Sequence, residues 1–264
     1  EAGSPAKTNY TVTGPNGQSV STTLTGFVDS AVVGDFDHDG NSGDVALLMS
    51  ASGSVTAIRF LADSFTLSGP VSHSTGAGGT PLAITAGDVD GDGLADLVTG
   101  NSGNAGTGSV SVLRGAADGA FGAPTVLARD AAVPDVGLGD FNGDGKLDLA
   151  LPGGVTRRVV IKAGNGDGTF GADTVVTTSE FPAALKVVDF NPEVDGFDDI
   201  VTNGSLLLGR GDGTFAPAVN LVPGGSPNGA WVDDLNRDGR PDIVLGHRGS
   251  KNLATVRHGD GPGG

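Results

Sequence analysis

The chain has 264 residues with 47 glycines, 14 prolines and no cysteine, and its 31 acidic against 15 basic side chains give a net charge of −16. Zero cysteines exclude disulfides, thiolate metal sites and cysteine nucleophiles. No apolar run approaches the roughly 18 residues needed to span a bilayer, and bare acidity of this size disfavours nucleic acid and anionic membranes as partners. Glycine-rich sequence with only 17% charged residues suits many short strands joined by tight turns, and 37% hydrophobic residues in regular clusters argue against disorder.

In chain order, the first 25 residues contain Tyr10-Thr11-Val12-Thr13 and Ser19–Thr25, a strand pattern with no loop of its own. An acidic loop follows at 35–44, with Asp35, Asp37, Asp39 and Gly40, and Asp44 arriving one residue late. The second copy, at 88–96, sets the pattern: Asp88, Asp90, Asp92 and Asp96 at positions 1, 3, 5 and 9, and Gly93 at position 6. The third, at 140–148, has Asp140, Asn142, Asp144 and Asp148 in strict spacing. The fourth, at 189–199, places Asp189, Asn191, Asp195 and Asp199 around two extra residues, and the fifth, at 234–242, carries Asp234, Asn236, Asp238 and Asp242. First positions lie 53, 52, 49 and 45 residues apart, and a period near 50 marks a repeat architecture. Position 2 is apolar in every copy (Phe36, Val89, Phe141, Phe190, Leu235), which predicts that it pins the loop to a core.

Five such loops point to a hard divalent cation rather than to acidic surface turns. Calcium takes roughly six to eight oxygen ligands at about 2.3–2.6 Å. Alternating acids in a tight loop turn three carboxylates toward one point, the glycine permits the turn, position 7 offers a carbonyl, and the ninth residue closes the shell from the next strand. The loops hold 17 of the 31 acids, and five calcium ions would bring the net charge to about −6. The unbroken second, third and fifth loops are expected to fill most reliably.

Between loops each repeat reads as strand, loop, strand, turn, strand, turn, strand. In the second repeat the strands are 81–87, 97–99, 109–114 and 124–129. The second turn has its own signature, at Asp118-Gly119-Ala120-Phe121, Asp167-Gly168-Thr169-Phe170 and Asp212-Gly213-Thr214-Phe215, with a worn copy at Asp63-Ser64-Phe65. Asp-Gly between apolar runs is a hairpin signal, and the phenylalanine is expected to fill space between neighbouring sheets. Arg210-Gly211-Asp212 lies inside that hairpin frame and reads as part of it.

Asp-Phe-Asn-Gly-Asp-Gly-Lys-Leu-Asp-Leu-Ala at 140–150 and Gly-Asn-Gly-Asp-Gly-Thr-Phe at 164–170 resemble the FG-GAP/VCBS repeats of integrin-α-type β-propellers. The resemblance covers nearly the whole chain. It implies an all-β fold with one four-stranded blade per repeat and calcium in the loop between the first two strands. The fifth repeat stops at Gly259-Asp260-Gly261, where its outer strand should begin. Hence the expectation of one domain over 1–264: five four-stranded blades, the last completed by the N-terminal strand, with Tyr10 in place of the missing phenylalanine.

The expected function is a secreted, calcium-stabilised, non-catalytic binding module for a glycan or glycoconjugate. Adhesion to an extracellular protein, a structural spacer and a carbohydrate-active enzyme domain are the alternatives. No Ser/His/Asp order and no Gly-x-Ser-x-Gly elbow stands out. His38 and His73 read as surface residues, and His247 and His258 flank a turn across which they could approach each other. Asp198 and Glu193 sit inside the fourth loop as aids to its cation. Trp231, the only tryptophan, stands three residues before the fifth loop, where it would either stack on a sugar or plug a central channel. Residues 72–80 and 101–108 are the adaptable polar connections, and Asn9-Tyr10-Thr11 and Asn203-Gly204-Ser205 match the glycosylation sequon.

Overall fold

The computed structural model describes residues 7–13, 19–25, 27–40, 43–61, 66–67, 71–76, 78–103, 106–192, 195–221, 227–247 and 254–259. It is all-β, a β-propeller whose five repeats each form one antiparallel sheet. By contacts it divides into two compact units, one of residues 1–88 and 92–132, the other of 133–264 with 89–91.

The first unit opens with a hairpin of β1 (Lys7–Thr13) and β2 (Ser19–Thr25). The first repeat follows as β3 (Ser30–Gly34), β4 (Asp44–Met49), β5 (Ser54–Ile58), the short pair β6 (Phe60–Leu61) and β7 (Thr66–Leu67), and β8 (Val71–Ser74), with sheet order β3-β4-β5-β8. The second repeat is β9 (Thr80–Gly87), β10 (Asp96–Ser102), β11 (Gly108–Leu113) and β12 (Thr125–Arg129), paired in sequence.

In the second unit, β13 (Gly137–Gly139), β14 (Asp148–Pro152), β15 (Arg158–Gly164) and β16 (Phe170–Thr177) form the third sheet. The fourth is β17 (Leu185–Val188), β18 (Asp199–Thr202), β19 (Ser205–Leu207) and β20 (Val219–Asn220). The fifth has three strands among the described residues, β21 (Pro227–Asp233), β22 (Asp242–His247) and β23 (Ala254–Arg257).

The second strands lie deepest, so β10 and β14 are buried along nearly their whole length rather than alternating, polar residues such as Thr99 and Asn101 included. Leu97, Val98, Leu149 and Ile200 are inaccessible to solvent, and each such side chain contributes about 1.5–3 kcal/mol. Strands farther out alternate or lie exposed, as in β12 and β16. The core of the first unit gathers Phe36, Leu48, Val55, Leu97, Leu113 and Phe121. The second unit has two clusters, one on Phe141, Leu185 and Ile200, the other on Val201, Ile243 and Leu245.

Among the described residues the N-terminal strand β1 pairs with β2 rather than with a strand of the fifth sheet. β1 and β2 pair with each other from Lys7↔Thr25 to Thr13↔Ser19, with Tyr10 opposite Thr22. The hairpin satisfies its own ladder, and Leu24 is buried with Leu47 and Ile58 of the first repeat, which holds it there. The hairpin at Asp63-Ser64-Phe65, Glu193 and the terminal Asp260-Gly261 lie outside the described residues.

Candidate metal centres

The first, second, third and fifth acidic loops close on their first aspartate. Asp35 accepts the amides of Asp39 and Gly40 at 3.0 and 2.9 Å, and Asp234 those of Asp238 and Gly239 at 3.1 and 2.9 Å. Asp140 takes Gly143, Asp144 and Gly145 at 2.8–3.2 Å, and Asp88 takes Gly93 at 2.9 Å. The turn needs two left-handed residues, not one. Position 6 is Gly40, Gly93, Gly145 and Gly239 at φ of 79–87°, and position 4 is Gly91, Gly143, His38 and Arg237 at 58–77°. Two of the four residues at position 4 are glycine, a signal of that second requirement in the sequence itself.

The ninth residue does something different from its neighbours. Asp44, Asp96, Asp148, Asp199 and Asp242 are all at most 1% exposed. Asp44, Asp148, Asp199 and Asp242 accept the amide of position 2 at 2.9–3.1 Å, from Phe36, Phe141, Phe190 and Leu235. A second amide comes from the end of the third strand: Gly115 to Asp96, Gly164 to Asp148, Gly209 to Asp199 and Gly259 to Asp242, at 2.7–3.0 Å. That donor has to be glycine, because a Cβ on any of the four would lie 2.2–2.6 Å from the carbonyl oxygen of the residue before the ninth aspartate. The ninth aspartate is thus a clamp between first loop and third strand as well as a candidate ligand. Burial raises the Asp148 carboxyl, and it raises Asp199 to about 6 against the two amides, with Asp195 and Asp189 adding to the rise.

Three carboxylates converge in the first and second loops: Asp35, Asp37 and Asp44, and Asp88, Asp90 and Asp96, each set with oxygens within 4.8 Å of one another. The insertion in the first loop is absorbed before Asp44, which still reaches Phe36. In the third and fifth loops the asparagine at position 3 folds inward, Asn142 accepting from Asp144 and Asn236 from Asp238, both at 2.9 Å. Two buried oxygens at position 3, Asp37 Oδ1 in the first loop and Asn191 Oδ1 in the fourth, have no hydrogen-bond partner. Leaving a buried acceptor unmet costs about 1–3 kcal/mol, and an all-oxygen donor set with such atoms facing inward fits a hard cation.

The hairpins dock on these loops one repeat back. Gly168 donates to the carbonyl of Val89 at 3.0 Å, and Gly213 to that of Phe141 at 2.8 Å. Arg59 binds the Asp118 carbonyl and approaches Asp37 at 3.9 Å. Phe121 meets Phe36, and Phe215 meets Phe141, each pair 5.6 Å between ring centres. Phe121 and Phe215 therefore fill inter-sheet space as expected, against the buried Phe36 and Phe141, and Val89 is buried as well. Leu235 is the exception at 50% exposed.

Other expected roles change. Asp198 accepts the amide of Asp140 at 2.9 Å, so it ties the entry of the third loop rather than the cation of the fourth. Asp135, which pattern reading passed over, holds Leu185 in the same way at 2.9 Å. His73 is partly buried edge-on to Phe121 at 5.5 Å, and burial lowers its pKa. His247 bonds Thr255 at 2.9 Å and His258 reaches Asp242 at 3.1 Å, so each has a partner of its own. Trp231, opposite Val244 on β21, is 60% exposed. Asn203 is 4% exposed and accepts from Ala183 and Ala184, so that sequon is closed to glycosylation.

Residues 80–113 match the family FG-GAP, described as FG-GAP repeat. With the repeated loops and sheets around it, the chain is a β-propeller whose second repeat is of the FG-GAP type. No curated protein matches the sequence. Among solved structures, the V. cholerae biofilm matrix protein Bap1 is 18% identical with a TM-score of 0.53, over 90% of this chain and 38% of that one. An auxiliary nutrient binding protein from Bacteroides ovatus ATCC 8483 is 14% identical with a TM-score of 0.51, over 95% and 71%. BBS1N, solved in complex with ARL6DN, is 10% identical with a TM-score of 0.50, over 82% and 62%. The chain thus spans less than two-fifths of the first protein and less than two-thirds of BBS1N, and at these identities the likeness is one of fold.

Proposed function

We propose that this chain is a secreted, calcium-stabilised binding module without catalytic activity, and that its ligand is a carbohydrate or glycoconjugate. The observation that carries the calcium reading is the buried, unmet Asp37 Oδ1 within the Asp35–Asp37–Asp44 triad. Asp35, Asp37 and Asp44, with Asp88, Asp90 and Asp96, would hold the ion, as would Asp140, Asn142, Asp144 and Asp148 and the corresponding residues of the fourth and fifth loops. A bound divalent cation supplies charge neutralisation that lets three carboxylates share one site. The protein's own residues do the rest: the first aspartate sets the turn, and the ninth fixes it to the third strand. Carboxylates committed to amides and histidines with partners elsewhere support a non-catalytic role.

Trp231 supports the carbohydrate reading, since an exposed ring offers an apolar face to a sugar. No helix among the described residues is long and apolar enough to cross a membrane, and the biofilm matrix and nutrient-binding neighbours are in keeping with a place outside the cell. A glycan array on calcium-loaded protein, repeated with Trp231→Ala, tests the ligand. Binding that falls at least tenfold in the variant is the expected result, and no glycan bound by the native protein overturns the carbohydrate reading. Calcium is tested separately by elemental analysis, where fewer than two ions per chain after dialysis against millimolar calcium overturns it.

A further inference from the structure

The outer edges of the sheets differ because of one residue. In the second repeat Phe121 is followed by Gly122-Ala123-Pro124, and β12 starts only at Thr125. In the fourth, Phe215-Ala216-Pro217 precedes a β20 of two residues, and in the first, Pro70 precedes a β8 of four. Proline has no amide to donate and blunts a sheet edge. The third repeat reads Phe170-Gly171-Ala172-Asp173, with aspartate where Pro124 stands, and β16 extends over eight residues, its register against β15 shifting between Phe170 and Asp173 and then running evenly from Asp173 to Thr177.

β16 ends its sheet, pairing among the described residues with β15 alone. Its stretch Thr174-Val175-Val176-Thr177 is β-branched throughout, with Val175 54% exposed. Its single charge, Asp173, is held by Lys162 of β15 at 2.9 Å. A long edge of this composition, without lysine or proline, is a template for another strand. Alongside it lies a groove of about 630 Å³ between residues 174–179 and 213–218, with Val176, Phe215 and Pro217 in its lining. Arg210 is the only charged residue among those that line it.

We propose that the β16 edge takes an extended, acidic peptide segment of another protein as an added strand of the third sheet. Main-chain hydrogen bonds along Thr174–Thr177 give the affinity, apolar side chains at alternate positions enter the groove, and a carboxylate meets Arg210. Six residues, about 20 Å of strand, span the groove wall. This site is separate from Trp231 and stands whether or not the carbohydrate reading does.

The test selects a displayed library of random dodecapeptides on the calcium-loaded protein and synthesises the enriched peptides with and without N-methylation at alternate amides. Alternating apolar sequences with an acidic residue are expected. Their binding should weaken at least tenfold on N-methylation, in Asp173→Pro and in Arg210→Ala, with slowed amide exchange at residues 174–177 in the complex. Asp173→Pro restores the sequence of the second repeat, and a thermal melt checks its fold. Arg210→Ala leaves the strand untouched and keeps the question open to an answer if the proline variant fails to fold. Peptides that bind both variants as tightly as the native chain, or no enrichment at all, overturn the proposal. So does a native dimer that Asp173→Pro dissolves, which would make a second copy the occupant.

Discussion

The first two loops and the third and fifth share a frame and differ at position 3. Where it is aspartate, as in Asp37 and Asp90, three carboxylates crowd within 4.8 Å. Where it is asparagine, as in Asn142 and Asn236, the amide oxygen accepts the amide at position 5 and the loop closes on itself. Like charges at such distances repel unless a cation or a proton intervenes. In the first two loops that repulsion is left to be offset, whereas in the third and fifth the position-3 oxygen is met within the loop itself.

The largest expected effect is removal of the metal. A ligand at a hundredfold excess over its Kd stabilises the native state by about 2.7 kcal/mol per site, so excess chelator should lower the melting temperature strongly. Amide exchange should quicken more in loops 35–44 and 88–96 than in 140–148. An unchanged melting curve would reduce all five loops to acidic turns. Next in size is Gly164→Ala. Its Cβ would stand 2.2 Å from the Leu147 carbonyl and pull the amide away from Asp148, which should cost about 3 kcal/mol in denaturant unfolding with or without calcium. A loss under 1 kcal/mol would mean that the clamp is dispensable.

The comparison itself is inverted by exchanging residues. Asp37→Asn should weaken calcium binding at the first loop about tenfold and stabilise the chelated protein by roughly 1 kcal/mol, by analogy with relieved like-charge pairs. Asn142→Asp should do the reverse at the third, and isothermal titration with paired melts reads both. Equal behaviour of the two variants would remove position 3 as the determinant.

In chelator, pH should act through Asp199. Its carboxyl titrates near 6 in the folded protein against 3.8 as the ordinary value, because burial disfavours the charged form. The folded state holds that proton more tightly, so stability should fall as pH rises from about 4 to about 6 and level off above. Calcium should flatten this dependence, and melts across the window in each condition decide it. The smallest effect is a gain: His38→Gly relieves a left-handed residue at φ 58° and should stabilise by up to about 1 kcal/mol.

Much of this was legible without coordinates. The period near 50, the acids at alternate positions, the apolar second residue and the Asp-Gly hairpins are local patterns, and local patterns fix strands, turns and candidate ligands because their geometry closes within a few residues. The all-β class and the order of strands within each repeat follow from them. What the tertiary structure alone decided involves partners far apart in the chain. The carboxylate of Asp148 meets Gly164 sixteen residues on, and that of Asp198 meets the Asp140 amide 58 residues back. The β1–β2 hairpin pairs with itself because seven local ladder positions and the burial of Leu24 hold it against the first repeat. Trp231 is exposed because of what its neighbours in space leave uncovered. Sequence spacing carries the chemistry of a loop, whereas which buried amide a carboxylate answers depends on how the sheets stack.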